Sequence, residues 1–556
     1  MSEATESPLA EALYEPQPRG TRRAPRSGRH GRAPRLVLLA AGVVAVASLA
    51  PAAYLVLREG FSIGLLWRAL DSPSTPELLW HTAALVLTVG AASMLLGVGL
   101  AVLVVRTSLP APRLWIVLFT MPLAVPGFVS AYTWVAASFR YAPSSTAIFG
   151  LGGSTLVMSL GLFPYVFLPT VAALRGVDAA QEEVSRGLGR SELRTFLTVT
   201  LPQLRVAISA GSLIVVLHVV SEFGALQLLN YSTLTTAIMQ RMQVLGSPES
   251  ARALAVVLVG GAALLLLVEK IARGRQAPAR VGRGVLRAPV RWGLGRARWL
   301  WALACAAVSL LALGVPLYIA IVGLADGLSG AGAAGADAAL DGQVGIDWAA
   351  LGSAALSTLE LALAAGVVAT VVGLPISWLY ARHPGRFATI AERSVWLAHA
   401  LPGVIVALAL VYLGVRWFRP VYQTPLMLVA AYVVLFLPLA VASQHVGLRA
   451  AGRRLDEAAH SLGYGRLRVL VRVTLPLALP GVAAGALFVL LDSAKELTTT
   501  LLLIPTGMTT LSTALWSTTN GEVLDFTAAA PYGIALILIG VLPAYLLARR
   551  TVRLTA

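Results

Sequence analysis

Long apolar runs without charged residues recur along almost the whole chain, and Leu36–Leu57 is the first clear one. About 20 such residues are needed for a helix to cross roughly 30 Å of hydrocarbon. Hydrophobic residues make up 57% of the chain and charged residues only 12%, against about 25% charged in soluble domains. Because lipid offers no hydrogen bonds, each run has to satisfy its own backbone groups, which favours α-helices. The alternating segments of about 10 residues that build a membrane β-barrel do not occur in this sequence.

The runs predict an all-α polytopic membrane protein with about twelve transmembrane helices. An even number of spans places both termini on one side of the membrane. The predicted spans are residues 36–57, 80–105, 114–137, 150–172, 204–229, 251–269, 299–324, 352–380, 394–415, 424–447, 477–503 and 528–548.

The net charge of +17 is concentrated next to predicted spans. Arginines are dense in the tail 1–35, which is expected to be disordered, and in the linker 271–298, which has no Asp or Glu. The predicted outer loop 325–350 contains Asp but no Lys or Arg. Since positive residues are retained in the cytoplasm, we expect the linker and both termini, including the tail 549–556, on that side. This distribution favours contact with membrane lipid over nucleic-acid binding.

Cysteine and histidine usage excludes several kinds of site. The single cysteine, Cys305, lies in an apolar span, so an intramolecular disulfide is impossible. The seven histidines show no metal-ligand spacing such as H-E-x-x-H, and we expect no metal site. The run Leu36–Leu57 exceeds the usual 7–15-residue core of a signal peptide, so we interpret it as a retained span.

Two polar loops repeat almost the same sequence 274 residues apart (457 − 183 = 274). The first runs from Glu183 through Gly189 to Pro202, and the second from Glu457 through Gly463 to a Leu-Pro pair. In each loop a short helix is expected to end at the glycine, which can turn the backbone without a Cβ penalty. The Leu-Pro pair then marks entry into the next span, because proline is tolerated in a first helical turn.

The repeat extends beyond these loops, since Pro126-Gly127 matches Pro402-Gly403 and Thr82 matches Thr358. It predicts two copies of a five-span unit in the same orientation, each preceded by one extra helix. Such a parallel repeat suits a pore on a pseudo-two-fold axis along the membrane normal. The predicted halves are residues 36–270 and 299–548, with core repeats 78–270 and 350–548 and loops 175–203 and 449–476.

The pattern Glu-Ala-Ala-x3-Gly-x9-(Ile/Val)-x-Leu-Pro resembles the cytoplasmic loop of permeases of binding-protein-dependent ABC importers. Residues 457–476 match it throughout, whereas the first loop has Val184 and Ser185 in place of the two alanines. The resemblance implies that these loops couple the permease to an ATPase. The implied coupling residues are Glu183, Gly189, Leu201, Pro202, Glu457, Ala458, Ala459, Gly463, Leu475 and Pro476.

The chain has no G-x-x-x-x-G-K-[ST] phosphate loop, so it is not the motor and is not expected to be an enzyme. The resemblance implies two copies of a cytoplasmic ABC ATPase, which bind ATP and Mg²⁺, and an extracytoplasmic substrate-binding protein. No cofactor is expected on this chain. The implied location is the plasma membrane of a bacterium.

The segment from Asp492 to Pro505, with its Lys-Glu-Leu-Thr-Thr-Thr-Leu-Leu-Leu run, is similar to a segment of ferric-iron importer permeases. Those permeases are also fused two-copy proteins of about this length. Thr498 and Ile504 depart from the pattern, which has proline and arginine there. Ferric iron is therefore the expected cargo, with thiamine or a polyamine as the alternatives.

Four charged residues, Glu222, Asp492, Lys495 and Glu496, lie in or near predicted spans. Charged groups there are costly and often line a transport pathway, so they are candidates for a gate. A structural role at the outer interface is an equal alternative, because Glu496 lies roughly 30 Å along the helix from Pro476 at 1.5 Å per residue.

A second class of function, an ion-coupled secondary transporter, also fits about twelve spans in two halves. Such a carrier has no need of the duplicated loops. Its usual signs, broken helices and mid-span charges paired across repeats, are weak in this sequence. The sequence therefore favours the ABC permease.

Overall fold

The computed structural model describes residues 34–58, 64, 67, 70–177, 179–243, 248–273, 292–329, 346–399, 401–520 and 525–553. Nearly all of the predicted tail 1–35, most of the linker 271–298 and the last residues of the tail 549–556 lie outside this description. The predictions made for those segments therefore concern residues that the structure does not describe.

The first half is built from helices connected by short turns. They are α1 Arg35–Arg58, α2 Thr75–Arg106, α3 Pro112–Thr120 with a 3-10 turn Met121–Ala124, α4 Gly127–Tyr141, α5 Gly150–Leu162, α6 Pro164–Arg175, α7 Ala179–Gly187, α8 Glu192–Thr195 with a π-helical turn Phe196–Thr200, α9 Leu201–Ser221, α10 Gly224–Leu228, α11 Leu234–Gln243 and α12 Pro248–Arg273.

The second half follows a similar order, with a single helix, Pro425–Ala450, at the place of α5 and α6. Its elements are a 3-10 turn Gly295–Ala297, α13 Arg298–Ser309 with a π-helical turn Leu310–Gly314, α14 Val315–Ser329, α15 Trp348–Arg382, α16 Arg386–His399, α17 Gly403–Trp417, α18 Pro425–Ala450, α19 Arg453–Ser461, α20 Arg466–Val469 with a π-helical turn Leu470–Thr474, α21 Leu475–Lys495, α22 Thr498–Leu503, α23 Leu511–Thr519 and α24 Phe526–Arg553.

Equivalent helices form the core of each half. In the first half α2, α6 and α9 pack against one another, and in the second half α15, α18 and α21 do the same. The matched threonines of the repeat also have matched roles: Thr82 accepts a hydrogen bond from the Leu234 amide (3.1 Å), and Thr358 accepts one from the Leu511 amide (2.9 Å). The internal repeat is thus present in the packing as well as in the sequence.

The leading helix of each half packs against the other half. Helix α1 lies against α15, α16 and α17, where Ala41 shares a buried cluster with Ala391. Helices α13 and α14 lie against α3 and α4, and Cys305 shares a buried cluster with Phe119. This exchange ties the two halves together along their sides.

The all-α polytopic membrane fold is confirmed. In the part of the chain that the structure describes, seven helices are long and apolar enough to cross a membrane, or up to ten if each of three bent pairs is one span. Helices α1 and α12 cover the two remaining predicted spans, 36–57 and 251–269. In the described residues the one extended pairing is an isolated bridge between Thr107 and Trp292.

Two predicted spans, 114–137 and 394–415, are wrong as continuous helices, and a third, 150–172, is bent by 41° between α5 and α6. The chain bends by 94° between the Pro112–Ala124 segment and α4, and by 99° between α16 and α17. Both bends are at the Pro-Gly pairs of the repeat, where proline lacks the amide that a continuing helix needs and disfavours helical geometry in the residue before it. Broken helices are therefore a clear feature of this fold, contrary to the expectation from the sequence.

The predicted spans 204–229 and 477–503 also end earlier than expected. Helices α9 and α21 stop at Ser221 and Lys495, and the next residues, Glu222 and Glu496, are extended (ψ 130° and 123°). Short helices α10 and α22 follow after the break. The two carboxylates thus lie at helix ends and not within continuous spans.

Candidate functional site

Each predicted coupling loop contains a short helix that ends in a tight turn. Helix α7 is followed by Gly189 with φ +79°, and α19 is followed by Gly463 with φ +85°. A Cβ added to either glycine would meet no atom within 4 Å. The left-handed backbone therefore explains the glycines by itself, as the sequence interpretation of the turn requires.

The outer face of each coupling helix is open. Glu183 and Glu457 are both exposed, as is Ala458, whereas Ala459 is buried. Among the large apolar residues of the two loops, Leu188 (75%) and Leu462 (77%) are the most exposed, and each immediately precedes one of the two glycines. Sequence reasoning missed these leucines, although the repeated Leu-Gly pair was a signal for them.

The Leu-Pro pairs explain a second shared feature, a π-helical turn immediately before each one. Phe196–Thr200 precedes Leu201 and Pro202, and Leu470–Thr474 precedes Leu475 and Pro476. Proline has no amide for the carbonyl four residues back, and the preceding leucine amides bond five residues back, to Phe196 and Leu470. Such π-turns are frequent at functional sites. Leu201 and Leu475 are half-buried here, while Pro202 and Pro476 are exposed.

A buried ion pair fixes the first coupling helix. Arg106, the last residue of α2, donates two hydrogen bonds to Glu182 of α7, at 2.8 and 2.7 Å. The hydroxyl of Thr200 donates a third to the same carboxylate at 2.6 Å. The side chains of Arg106 and Glu182 are only 2% and 8% exposed. We name these three residues the first clamp.

The second half repeats this arrangement at the equivalent positions. Arg382, the last residue of α15, places Nε 2.8 Å from a carboxylate oxygen of Asp456 in α19, and Thr474 donates to that carboxylate at 2.7 Å. The Arg382 Nε is close but makes no aligned hydrogen bond, and Asp456 is 14% exposed. These three residues are the second clamp. Sequence reasoning missed both clamps, although an acidic residue precedes both Glu183 and Glu457.

The end of the Arg-rich linker contacts the first loop. The Trp292 amide donates to the carbonyl of Arg106 (2.6 Å), and its own carbonyl accepts from the Ser108 amide (3.0 Å). The Trp292 ring meets Phe196 of the π-turn edge-on, with centroids 5.7 Å apart. The end of the linker, where the chain enters the second half, therefore lies directly beside the first clamp.

The predicted gate residues Glu222 and Glu496 occupy equivalent places beside the right-angle bends. Glu222 accepts a hydrogen bond from the Ala225 amide at 3.0 Å, and Glu496 accepts one from the Thr499 amide at 2.8 Å. A Cβ on Gly127 or Gly403 would lie 3.1 Å from a carboxylate oxygen of Glu222 or Glu496 respectively. The Pro-Gly pairs therefore let α4 and α17 begin against the two carboxylates.

These carboxylates lie at the contact between the two halves. Beside them, the Phe223 ring packs against Trp516 at 5.1 Å, and Leu497 approaches Gly224 so closely that a Cβ there would lie 2.6 Å away. A movement of the halves relative to each other would therefore alter the surroundings of both acids.

The other two predicted gate residues pair with each other. Lys495 Nζ lies 3.1 Å from Asp492 Oδ1, one helical turn apart on α21, with side-chain exposures of 18% and 39%. In the part of the chain that the structure describes, no group of three or more His, Cys, Asp and Glu is placed to hold a metal ion. The charged residues near the bends thus form a paired cluster without the donor set of a metal site.

The sequence profile of the binding-protein-dependent transport system inner membrane component family matches residues 78–276 and 373–553. The chain belongs to this family. It is the membrane permease component of a binding-protein-dependent ABC importer, with the permease unit present twice, as the loops predict. This membership decides against the ion-coupled carrier that the span count also allowed.

Three relatives illustrate the range of the family. The chain is 32% identical to the Fe(3+)-transport system permease protein FbpB 2 of Haemophilus influenzae, over 89% of this chain and 94% of that protein. It is 26% identical to the molybdenum transport system permease protein ModB of Escherichia coli, over 34% of this chain and 92% of that protein. It is also 26% identical to the sulfate transport system permease protein CysW of Escherichia coli, over 33% of this chain and 66% of that protein.

Proposed function

We propose that this permease carries ferric iron into the cell. The observation that supports this is the 32% identity to a ferric-iron permease over 89% of the chain, so that both halves of the fused protein are included. The molybdenum and sulfate permeases align with only about a third of this chain. The residues around Lys495 and Glu496, which resemble iron permeases, are consistent with the same cargo.

Two copies of a separate ABC ATPase drive the transport, one on each coupling loop. The supporting features are the exposed leucines Leu188 and Leu462 and the exposed acids Glu183 and Glu457, which repeat on the two loops at one spacing. ATP and Mg²⁺ are bound by these partners. Both loops and both termini lie in the cytoplasm, and a substrate-binding protein delivers the cargo to the opposite face.

Transport proceeds by alternating access, and the bends beside Glu222 and Glu496 form the gate between the halves. The acids cap short helices and touch the start of α4 and α17. A relative movement of the halves changes the surroundings of both acids, because Phe223 packs against Trp516 and Leu497 against Gly224 beside them. Among the residues that the structure describes, no group of His, Cys, Asp and Glu is placed to hold a metal ion, and we assign chelation of the iron to the substrate-binding protein.

The test is uptake of radioactive iron by liposomes that contain this permease, the two ATPases and an internal ATP supply, with iron-loaded binding protein outside. We expect uptake that requires all three proteins and that excess molybdate, sulfate, thiamine or polyamine does not compete. Iron uptake driven by an ion gradient with the permease alone, or uptake of another of these solutes, would contradict the proposal.

A further inference from the structure

We propose that the two clamps make each coupling helix, α7 or α19, move together with two membrane helices as one rigid body. This rigidity transmits the conformational change of the ATPase to the pore. Arg106, Glu182 and Thr200 form the clamp of the first half, and their counterparts form the clamp of the second. The inference rests on the proposed ATPase partner, whose conformational change moves the coupling helices.

The connectivity of the first clamp carries the inference. Arg106 ends α2, Glu182 lies in α7, and Thr200 is the last residue of the π-turn that leads into α9. One carboxylate therefore joins the coupling helix to the ends of two core helices, through bonds of 2.6 to 2.8 Å. A displacement of α7 has to move both helix ends or break all three bonds.

The chemistry of the clamp suits this role better than an apolar contact would. Apolar side chains can slide over one another, whereas the two parallel bonds between a guanidinium and a carboxylate fix both distance and angle. Burial strengthens the attraction, because the surroundings screen charge less than water does. Separating the arginine from the carboxylate would leave buried charges without partners. The clamp therefore resists being opened when the ATPase changes conformation.

The position of the threonines adds a second element of control. Thr200 and Thr474 each end a π-turn, the place where the hydrogen-bond register of the helix shifts. A π-turn is less regular than an α-helix and is a natural point of bending. Each threonine donates a hydrogen bond to the carboxylate and so connects the π-turn to the coupling helix. A displacement of the coupling helix then moves the membrane helix and does not merely bend it at the π-turn.

The first clamp is the stiffer of the two. Its arginine makes two aligned hydrogen bonds, whereas Arg382 is close to Asp456 without one. The backbone of Arg106 is also held by Trp292 from the linker. We therefore expect the first half to transmit motion with less loss than the second.

The rigidity is tested first on the permease alone in lipid nanodiscs, with Cys305→Ala as background. Spin labels on Ile214→Cys in α9, the helix that Thr200 joins to α7, and Leu188→Cys after α7 use two exposed positions (40% and 75%). We expect one narrow distance distribution, unchanged by Thr200→Ser, which keeps the hydroxyl, and broadened by Thr200→Val. A distribution that stays narrow in Thr200→Val would overturn the clamp.

The transmission is tested in liposomes with the ATPase and the loaded binding protein, as ATP hydrolysed per iron imported. Thr200→Val is expected to raise this ratio by about fivefold or more, the lower end of typical coupling between sites. Thr474→Val is expected to raise it less, and it serves as the second variant if Thr200→Val does not assemble. Thr170→Val is the matched control, since this buried hydroxyl bonds only the carbonyl of Val166 in its own helix.

The outcomes separate the two proposals. An unchanged ratio in both threonine variants would overturn the transmission inference while leaving the proposed function intact. A wild-type complex that imports iron without ATP hydrolysis would contradict the proposed function, and the spin-label widths would still decide whether the clamp is rigid. A raised ratio in Thr170→Val would show a general packing effect and would count against the inference.

Discussion

The two coupling loops have nearly the same backbone but are fixed by different chemistry. Both have a short helix, a left-handed glycine and a π-turn before Leu-Pro. The first loop is joined by polar contacts: Ser185 bonds Thr195 (3.0 Å) and Gln203 bonds Gln181 (3.1 Å). At the equivalent places the second loop has apolar residues, Ala459 with Val469 and Leu455 with Leu477.

The comparison distinguishes the features that both loops share from those that vary between them. Backbone conformation and the Arg–carboxylate–Thr clamp occur in both halves. The positions around them hold hydrogen-bonded hydroxyl and amide pairs in the first half and apolar residues in the second. For the buried pair of Ser185 and Thr195 such an exchange is expected to be tolerated, because a polar pair that satisfies itself can be replaced by an apolar pair of similar shape. The shared features are therefore the ones expected to matter most for stability.

Removing the arginine of each clamp is expected to destabilise the protein by different amounts. Arg106→Ala leaves the buried Glu182 without its partner, and removing one member of a buried ion pair costs about 3–5 kcal/mol. Arg382→Ala should cost less, because Asp456 is partly exposed and its ion pair lacks an aligned hydrogen bond. The measurement is the free energy of unfolding of the purified permease in mixed micelles.

The control for this comparison is Arg113→Ala, which removes an exposed arginine from α3 and is expected to change stability little. Equal losses for the two clamp variants would mean that hydrogen-bond alignment and burial do not distinguish the clamps. The difference between the halves would then have to be sought in the surrounding contacts.

Much of the fold could be predicted from the sequence, because apolar length and arginine distribution are local properties. The spans, the repeat and the turns at Gly189 and Gly463 are all visible as patterns. The right-angle bends were not predicted, since the residues on both sides of Pro126-Gly127 are apolar and hydropathy does not record direction. The repetition of that Pro-Gly pair was the available signal.

The clamps could not be predicted from the sequence for a different reason. Arg106 and Glu182 are 76 residues apart, and only the packing of α2 beside the loop brings them together. An arginine at the cytoplasmic end of a span is first explained by the positive-inside bias, which conceals its role as a partner. The recognisable motif begins at Glu183 and draws attention to that residue, yet the neighbouring acid, Glu182, is the buried one.

Replacing the glycine of either turn by alanine is expected to lower the free energy of unfolding by the same amount in the two halves. Gly189→Ala and Gly463→Ala each place a Cβ on a left-handed residue, which costs about 1–2 kcal/mol, and no neighbouring atom adds a clash. The same unfolding measurement is expected to give the same loss for both variants. Unequal losses would show that the shared backbone is not equally constrained.

Each half offers a matched control for this prediction. Gly187 and Gly465 lie beside the two turns, have no positive φ, and also have open space where a methyl group would be added. Alanine at these positions is expected to be neutral or slightly stabilising, since it restricts the unfolded chain. A loss as large as that of the turn variants would attribute the effect to the loop surface and not to φ.

Substitutions that give the first loop the apolar residues of the second are expected to have only a small effect when they are combined. Ser185→Ala or Thr195→Val alone leaves one buried hydroxyl without its partner and is expected to cost about 1–3 kcal/mol. The double variant, which reproduces the apolar pair Ala459 and Val469, is expected to be nearly neutral. A double-mutant cycle on the free energy of unfolding measures this directly, because residues in contact show non-additive effects. If the two losses simply add, the hydroxyl pair contributes through its separate surroundings, and the equivalence of the two loops is limited to the backbone and the clamps.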